Sequence, residues 1–399
     1  MKNNIKHLKW AASLLLIHAF AWAQVPGDVS IGRSSLLFPP VKQHVHGSTI
    51  VGLPNGDLLV AWYQGSGERT ANDVKIFGAR WPKNAKGWTA PFLMADAHDM
   101  PDCNPVMFLD RRGRLHLTWI TVLGDRWESS ILRHRIATDI SGAGAPTWAW
   151  QDDIFFKPDD RFSSETAARF KELPGSPAGW SGFAPEYDGQ IINASRDPQK
   201  RGIGWMPRIK PLQLSNGRIL LPLYSDGYNF SLIGISDDEG DTWKPSLPLV
   251  GRGNVQPALV QKKDGTIVAY QRDNGDEPGR VQVNESRDTG MTWTAAKKTT
   301  LPNPGSSVEA LVLKDGRWVL VCNDTEEGRH RLSILVSNDE GANWPVKKTL
   351  VEVEKGKGSF SYPALIQTGN GLLRLTYSWT KEGQGETIAY TEIEPNELN

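Results

Sequence analysis

The chain has 399 residues, 39% hydrophobic and 23% charged, enough apolar mass for a buried core and too balanced for a disordered polymer. Its 45 basic and 45 acidic residues cancel. Residues 1–23 hold three lysines and no acid, so the remainder carries a formal charge of −3, which gives nucleic acid or an anionic membrane no electrostatic hold.

Lys2, Lys6 and Lys9 precede an apolar run over residues 10–20, followed by Ala21-Trp22-Ala23. This order reads as a secretory signal peptide cut after Ala23. The run is too short to span a bilayer comfortably, and no second hydrophobic stretch follows. A periplasmic or secreted protein is expected, with no membrane attachment after cleavage.

Beyond residue 40 the chain repeats a strand, a Gly turn and a second strand. The six copies cover residues 46–63, 104–120, 207–225, 256–272, 307–324 and 360–379. Five turn on Asn55-Gly56, Asn216-Gly217, Asp264-Gly265, Asp315-Gly316 and Asn370-Gly371, and the second on Gly113. Asn-Gly and Asp-Gly between alternating apolar runs are strong hairpin signals. Residues 29–38 are expected to pair with the sixth copy and close a ring, which removes a free sheet edge.

Residues 151–206 interrupt the period between the second and third copies. They are rich in Asp, Pro, Gly and aromatics, with a helix expected over 164–173 capped by Ser163 or Ser164. A connection this long is expected to wall or cover a pocket. Trp180 and Trp205 within it are candidates for stacking on a sugar.

Three segments then fit S-x-D-x-G-x-[TN]-W: Ser236 to Trp243, Ser286 to Trp293 and Ser337 to Trp344. Their tryptophans stand 50 and 51 residues apart, the period of a four-stranded propeller blade. Degenerate copies end at Trp88 and Trp148. The chemistry here is structural: Ser and Asp cap their own backbone, Gly takes a positive φ and Trp fills an apolar gap. Asp238, Asp288 and Asp339 are therefore turn residues, not catalysts. The fold class expected is all-β, a six-bladed β-propeller over residues 24–399. Cys103 and Cys322 make no disulfide framework and suit no metal site. An oxidising compartment leaves a bridge between them open.

With the three boxes and six hairpins in view, residues 40–395 resemble the sialidase superfamily, in its BNR-repeat-like branch. His46-Gly47-Ser48-Thr49, Asn104-Pro105, Asn303-Pro304, Asn323-Asp324 and Ser361-Tyr362-Pro363-Ala364 carry the same likeness. The resemblance implies that the first strand of each blade lines a central channel. That brings His46, Asn104, Arg208, Gln256, Glu309 and Tyr362 to one opening. It also implies a tyrosine nucleophile helped by a carboxylate, a separate acid, and arginines on the substrate carboxylate. A neutral phenol can approach an anomeric centre beside a carboxylate without charge repulsion, and guanidinium forks grip that carboxylate at two points.

Carried onto this sequence, Tyr362 stands where the nucleophile would, with Glu309 as its partner. Asp73 is the acid, with Glu68 a rival in the same loop. Arg208 and Arg272 are carboxylate ligands, while Arg280 and Arg329 fall in hairpin loops. Asn104 and Gln256 complete the substrate contacts. No cofactor or metal is expected. Sialidases open the first blade with Phe-Arg-Ile-Pro, where this chain has His44-Val45-His46-Gly47. His46 would then bind a hydroxyl or carboxylate, or act as acid or base.

The function implied is removal of a terminal acidic sugar from a glycan. Two alternatives use the same residues. One is a lyase on rhamnose–uronate polymers, with His46 and Tyr362 moving a proton and Arg208 neutralising the uronate. The other is a carbohydrate-binding propeller without turnover.

Overall fold

The computed structural model describes residues 31–175 and 187–399. Beyond a first strand, β1 (Arg33–Leu36), the strands form successive antiparallel blades. Blade 1 is β2 (His44–Gly52), β3 (Leu58–Gly65), β4 (Lys75–Trp81) and β5 (Phe92–Ala95). Blade 2 is β6 (Asp102–Leu109), β7 (Leu115–Leu123), β8 (Arg126–Asp139) and β9 (Thr147–Asp153). Blade 3 is β10 (Met206–Pro207), β11 (Leu212–Gln213), β12 (Ile219–Ser225), β13 (Phe230–Ser236) and β14 (Lys244–Pro245). Blade 4 is β15 (Asn254–Gln261), β16 (Ile267–Asp273), β17 (Arg280–Ser286) and β18 (Lys297–Pro302). Blade 5 is β19 (Glu309–Val312), β20 (Trp318–Cys322), β21 (Arg331–Ser337) and β22 (Val346–Glu352). Blade 6 is β23 (Gly358–Gln367), β24 (Leu373–Lys381) and β25 (Gly385–Ile393).

The six blades make a β-propeller. Strand β1 completes the sixth, with Arg33 opposite Glu392 and Leu36 opposite Ala389. The ring is thus fastened within the 29–38 segment where closure was expected. First strands of neighbouring blades lie against one another, β2 with β6 and β23, and β15 with β19. They surround the channel.

Apolar side chains pack between blades, with Trp62, Trp119, Trp318 and Trp379 fully buried. The three boxes are the expected turns. In the second, Asp288 accepts from Ser286 Oγ (2.9 Å), Thr292 N (2.9 Å) and Thr292 Oγ1 (2.7 Å). The residue before the box glycine also takes a positive φ, as at Thr289 (57°) and Gly290 (89°). Cys103 and Cys322 are both free and buried.

Between β9 and β10 the described residues form α1 (Asp160–Glu172), α2 (Tyr187–Ala194) and α3 (Pro198–Gly202). The first helix starts earlier than the expected residue 164. Asp159 is its N-cap and accepts from Arg161 N at 3.0 Å. Ser164 instead bonds back to the carbonyls of Asp160 and Arg161 inside the first turn. An aspartate directly after Pro158 outcompetes the serines because its carboxylate reaches the free N–H groups first. Helix α1 buries Phe162 and Phe170, and Phe162 meets Trp205, Tyr228 and Phe230 at 5.5–6.1 Å. Trp205 is only 2% exposed, so it belongs to this core and offers no face to a sugar. Trp180 and the signal segment lie outside the described residues.

Candidate functional site

Four first strands carry the same defect at the same step. Pairing slips between His46 and Thr49, between Cys103 and Val106, between Val255 and Ala258, and between Ser361 and Ala364. Each slip is a β-bulge, with two residues facing one. The first bulged residue has a left-handed backbone: Gly47 (φ 65°), Asn104 (53°), Gln256 (58°) and Tyr362 (57°). Glycine takes this conformation freely, whereas a bulky side chain before proline does so at a cost. Asn104, Gln256 and Tyr362 each precede a proline. Such strain persists only where surrounding structure enforces it, and it gathers at functional sites.

The bulges bring these side chains together. Gln256 Nε2 and Arg272 Nη1 both donate to Tyr362 Oη at 3.2 Å. Asn104 Nδ2 donates to Tyr224 Oη at 3.0 Å. The Arg208 guanidinium lies 4.7 Å from the Tyr362 ring centre and that of Arg329 lies 5.6 Å away. The His46 ring sits 4.1 Å from the Tyr362 ring. Tyr362 itself is 9% exposed.

The chain has eight tyrosines, and seven have their phenols pushed up, chiefly by burial. Tyr362 alone is lowered. Burial pushes it up as well, but Arg272, Arg329 and the Gln256 amide outweigh that and favour the phenolate. Its oxygen is built as an acceptor. His46 is held well below its ordinary value, first by burial and then by His44, Arg329 and Arg208, so its imidazole is neutral.

Arg208 differs from its expected role. It is 2% exposed, and its Nη atoms donate to Ser48 O (3.1 Å) and Pro363 O (3.2 Å). It props the Tyr362 ring from below. Arg272 and Arg329, by contrast, are partly exposed. Arg329 does lie in a hairpin loop, between β20 and β21, yet its guanidinium reaches the Tyr362 ring and donates to Gly305 O at 2.9 Å.

Glu309 is the clearest departure. It is 1% exposed and receives Lys210 Nζ at 2.6 Å and Ala310 N at 2.9 Å. It makes no bond to Tyr362. Blade 5 has no bulge: Glu309 pairs in regular register with Val321, so its side chain takes a different direction. Asp73 stays on the exposed side of its loop, where Ser66 N (3.0 Å) and Ser66 Oγ (2.7 Å) donate to it and hold its carboxyl low. Arg280 pairs with Glu326 at 2.7 Å, away from Tyr362. Among the described residues no cluster of three or more His, Cys, Asp or Glu side chains is arranged to hold a metal.

Glu68 is the acid that enters the site. Tyr63 Oη donates to it at 2.6 Å and His44 Nε2 lies 3.2 Å away. Burial favours its neutral form, but these two partners and His46 draw its pKa down to about 2. His44 also meets Glu386 of blade 6 at 2.9 Å. Burial opposes the charge on His44, yet the two carboxylates raise it to about 9. This latch ties blade 1 to blade 6. A raised histidine stabilises fully below its unfolded pKa, near 6.5, and the benefit is lost as pH rises through about 9. The melting temperature is expected to fall on the order of 2–4 °C between pH 7 and pH 9.5, and a His44→Asn chain to show a much flatter profile. Equal slopes would show that the latch does not act.

His44, Tyr63 and Tyr224 carry no sequence signal that separates them from packed residues. Asn104, Gln256 and Tyr362 do: a polar or aromatic residue directly before proline, at the start of an apolar strand.

The chain matches the BNR repeat-like domain family over residues 56–162 and 202–375. A sialidase of Paraclostridium sordellii is 29% identical over 143 residues, which is 31% of this chain and 34% of that protein. Among solved structures, a protein of unknown function from Dyadobacter fermentans has a TM-score of 0.66 at 18% identity, covering 93% of this chain and 100% of that one. The NanB sialidase of Streptococcus pneumoniae has a TM-score of 0.65 at 13% identity, covering 92% of this chain and 71% of that one. At these identities the structural likeness is one of fold.

Proposed function

The chain belongs to the BNR repeat-like domain family, and from that premise we propose that it is an exported glycoside hydrolase of sialidase type, taking a terminal acidic sugar from glycans. One observation carries this reading. Tyr362 is a phenol whose oxygen accepts from Arg272 and Gln256 amid three guanidiniums. A cationic pocket around an activated phenol suits an anionic sugar and attack on its anomeric carbon. In this scheme Tyr362 is the nucleophile. Arg272 and Arg329 hold the sugar carboxylate while Arg208 fixes the ring. Neutral His46, Asn104 and Glu68 contact sugar hydroxyls. The acidic sugar is sialic acid or a close analogue, in keeping with the sialidases to which the chain is similar.

A second reading has its own support. Among the described residues no carboxylate bonds Tyr362, and a neutral imidazole packs on its ring. A phenolate with a neighbouring imidazole also suits proton abstraction next to a uronate carboxylate, followed by β-elimination. A fluorogenic sialoside and a rhamnose–glucuronate polysaccharide separate the two. Fluorescent release is the expected result. Ultraviolet absorbance from an unsaturated product, without release, would replace the hydrolase with a lyase. Glycan binding with neither signal would leave a lectin-like propeller.

A further inference from the structure

A hydrolase with a tyrosine nucleophile needs a second group to protonate the departing oxygen. Three carboxyls near the channel are engaged. Glu68 is held between Tyr63 and His44, Glu309 is bound by Lys210, and Asp73 is bound by Ser66. Glu68 and Asp73 are drawn down by these donors and are poorly placed to arrive protonated, and the Glu309 carboxylate is turned to Lys210, away from Tyr362.

Asp226 is different. It stands in the turn between β12 and β13, two residues beyond Tyr224, whose hydroxyl meets Asn104 in the channel. The turn is fixed by Asn229 N on Ser225 O (2.7 Å) and Gly227 N on Ser225 Oγ (3.2 Å), so the position of Asp226 is set by backbone. Gly227 stands directly against Glu128 of β8. The Asp226 side chain is exposed, and among the described residues its carboxylate has no hydrogen-bond or ion-pair partner. The charges around it come from Arg272, Glu128, Arg69 and Glu68, on blades 4, 2 and 1. Arg272 is the residue that donates to Tyr362 Oη, so the charge of one guanidinium acts on both Asp226 and Tyr362.

We propose that Asp226 is the general acid of this site, an assignment that rests on the hydrolase reading above. Although Asp226 is open to solvent, its carboxyl is shifted upward, first by the protein that surrounds it and then by Glu128 and Glu68, against Arg272 and Arg69, which favours a proton being present. The Tyr362 phenolate oxygen forms a bond to the anomeric carbon. The bond from that carbon to the leaving oxygen breaks, and the leaving oxygen takes the Asp226 proton. Water then attacks the same carbon and gives a proton to the Asp226 carboxylate. The tyrosyl–carbon bond breaks, which releases the free sugar and restores the phenolate.

The test compares the unsubstituted chain with Asp226→Asn on two probes, a methylumbelliferyl sialoside and sialyllactose. A phenolic leaving group departs with little help, whereas a sugar hydroxyl needs a proton. The kcat/KM for sialyllactose is expected to fall about 100-fold, and the aryl probe to lose far less. The alkaline limb of the pH profile should vanish with the carboxyl. Asparagine is isosteric and removes no hydrogen bond made among the described residues, so the melting temperature checks that the variant is folded. Equal losses on both probes would overturn the assignment while leaving the hydrolase reading intact. A leaving-group-dependent loss in Asp73→Asn, absent from Asp226→Asn, would move the role to Asp73. If the unsubstituted chain turns over neither probe, the hydrolase reading falls and takes this inference with it.

Discussion

Replacing Tyr362 with Phe is expected to lower kcat on a sialoside by at least about 10³-fold, the scale of loss when an essential nucleophile is removed. The change takes away one oxygen and nothing else. The ring keeps its contacts with Arg208, Arg329 and His46, and the strained backbone at φ 57° is as accessible to Phe as to Tyr. The structural cost is two donors, from Gln256 and Arg272, left without their acceptor. That is about 1–3 kcal/mol, a small part of what holds six blades together. A folded chain with lost turnover and retained affinity for the sugar acid is the expected result. Full activity in the variant would remove Tyr362 from the chemistry and with it the hydrolase scheme.

Arg272→Lys is the second large effect, with kcat/KM expected to drop about 10²- to 10³-fold. Lysine keeps the charge but not the planar fork. It cannot both bond the phenol and grip a carboxylate at two points. The pH profile separates this role from simple binding. Arg272 is the foremost cause drawing the Tyr362 phenol down, so a weaker partner lets that pKa rise. If the phenolate is the reactive form, the acid limb of kcat moves to higher pH in the variant. A lower rate with an unmoved limb would mean that Arg272 binds substrate without activating the tyrosine.

The architecture was legible because its signals are local. Each Asp box closes its own turn within eight residues, and Asn-Gly or Asp-Gly fixes a hairpin from two. The N-terminal closing strand followed from the cost of an open edge. The site was legible in part. Asn104, Gln256 and Tyr362 stand where strand position placed them, because the residue before proline marks the bulge that turns each inward. Glu309 is not brought to Tyr362, and a strand start does not reveal which way its side chain points. Without a proline after it, blade 5 keeps regular pairing and Glu309 meets Lys210. Arg208 follows a proline instead of preceding one, and it lies against the tyrosine ring with both Nη atoms used on backbone carbonyls. Asp226, Tyr224 and Arg329 act across blade boundaries, so their neighbours exist only once the ring is assembled. Asp159 caps α1 where serines were expected, a contest between two nearby capping sites that composition does not decide.

The pairing of Arg33–Leu36 with the last strand also gives the molecule an order in time. Strand β1 leaves the ribosome long before its partner, since Glu392 lies 359 residues beyond Arg33. Five blades can pair internally as they emerge, since their strands are sequential. The sixth cannot. Until β25 is made, β1 and the unfinished ring each present a raw edge to other chains. Every half-made copy is therefore a candidate for mispairing with its neighbours, and the finished ring is not.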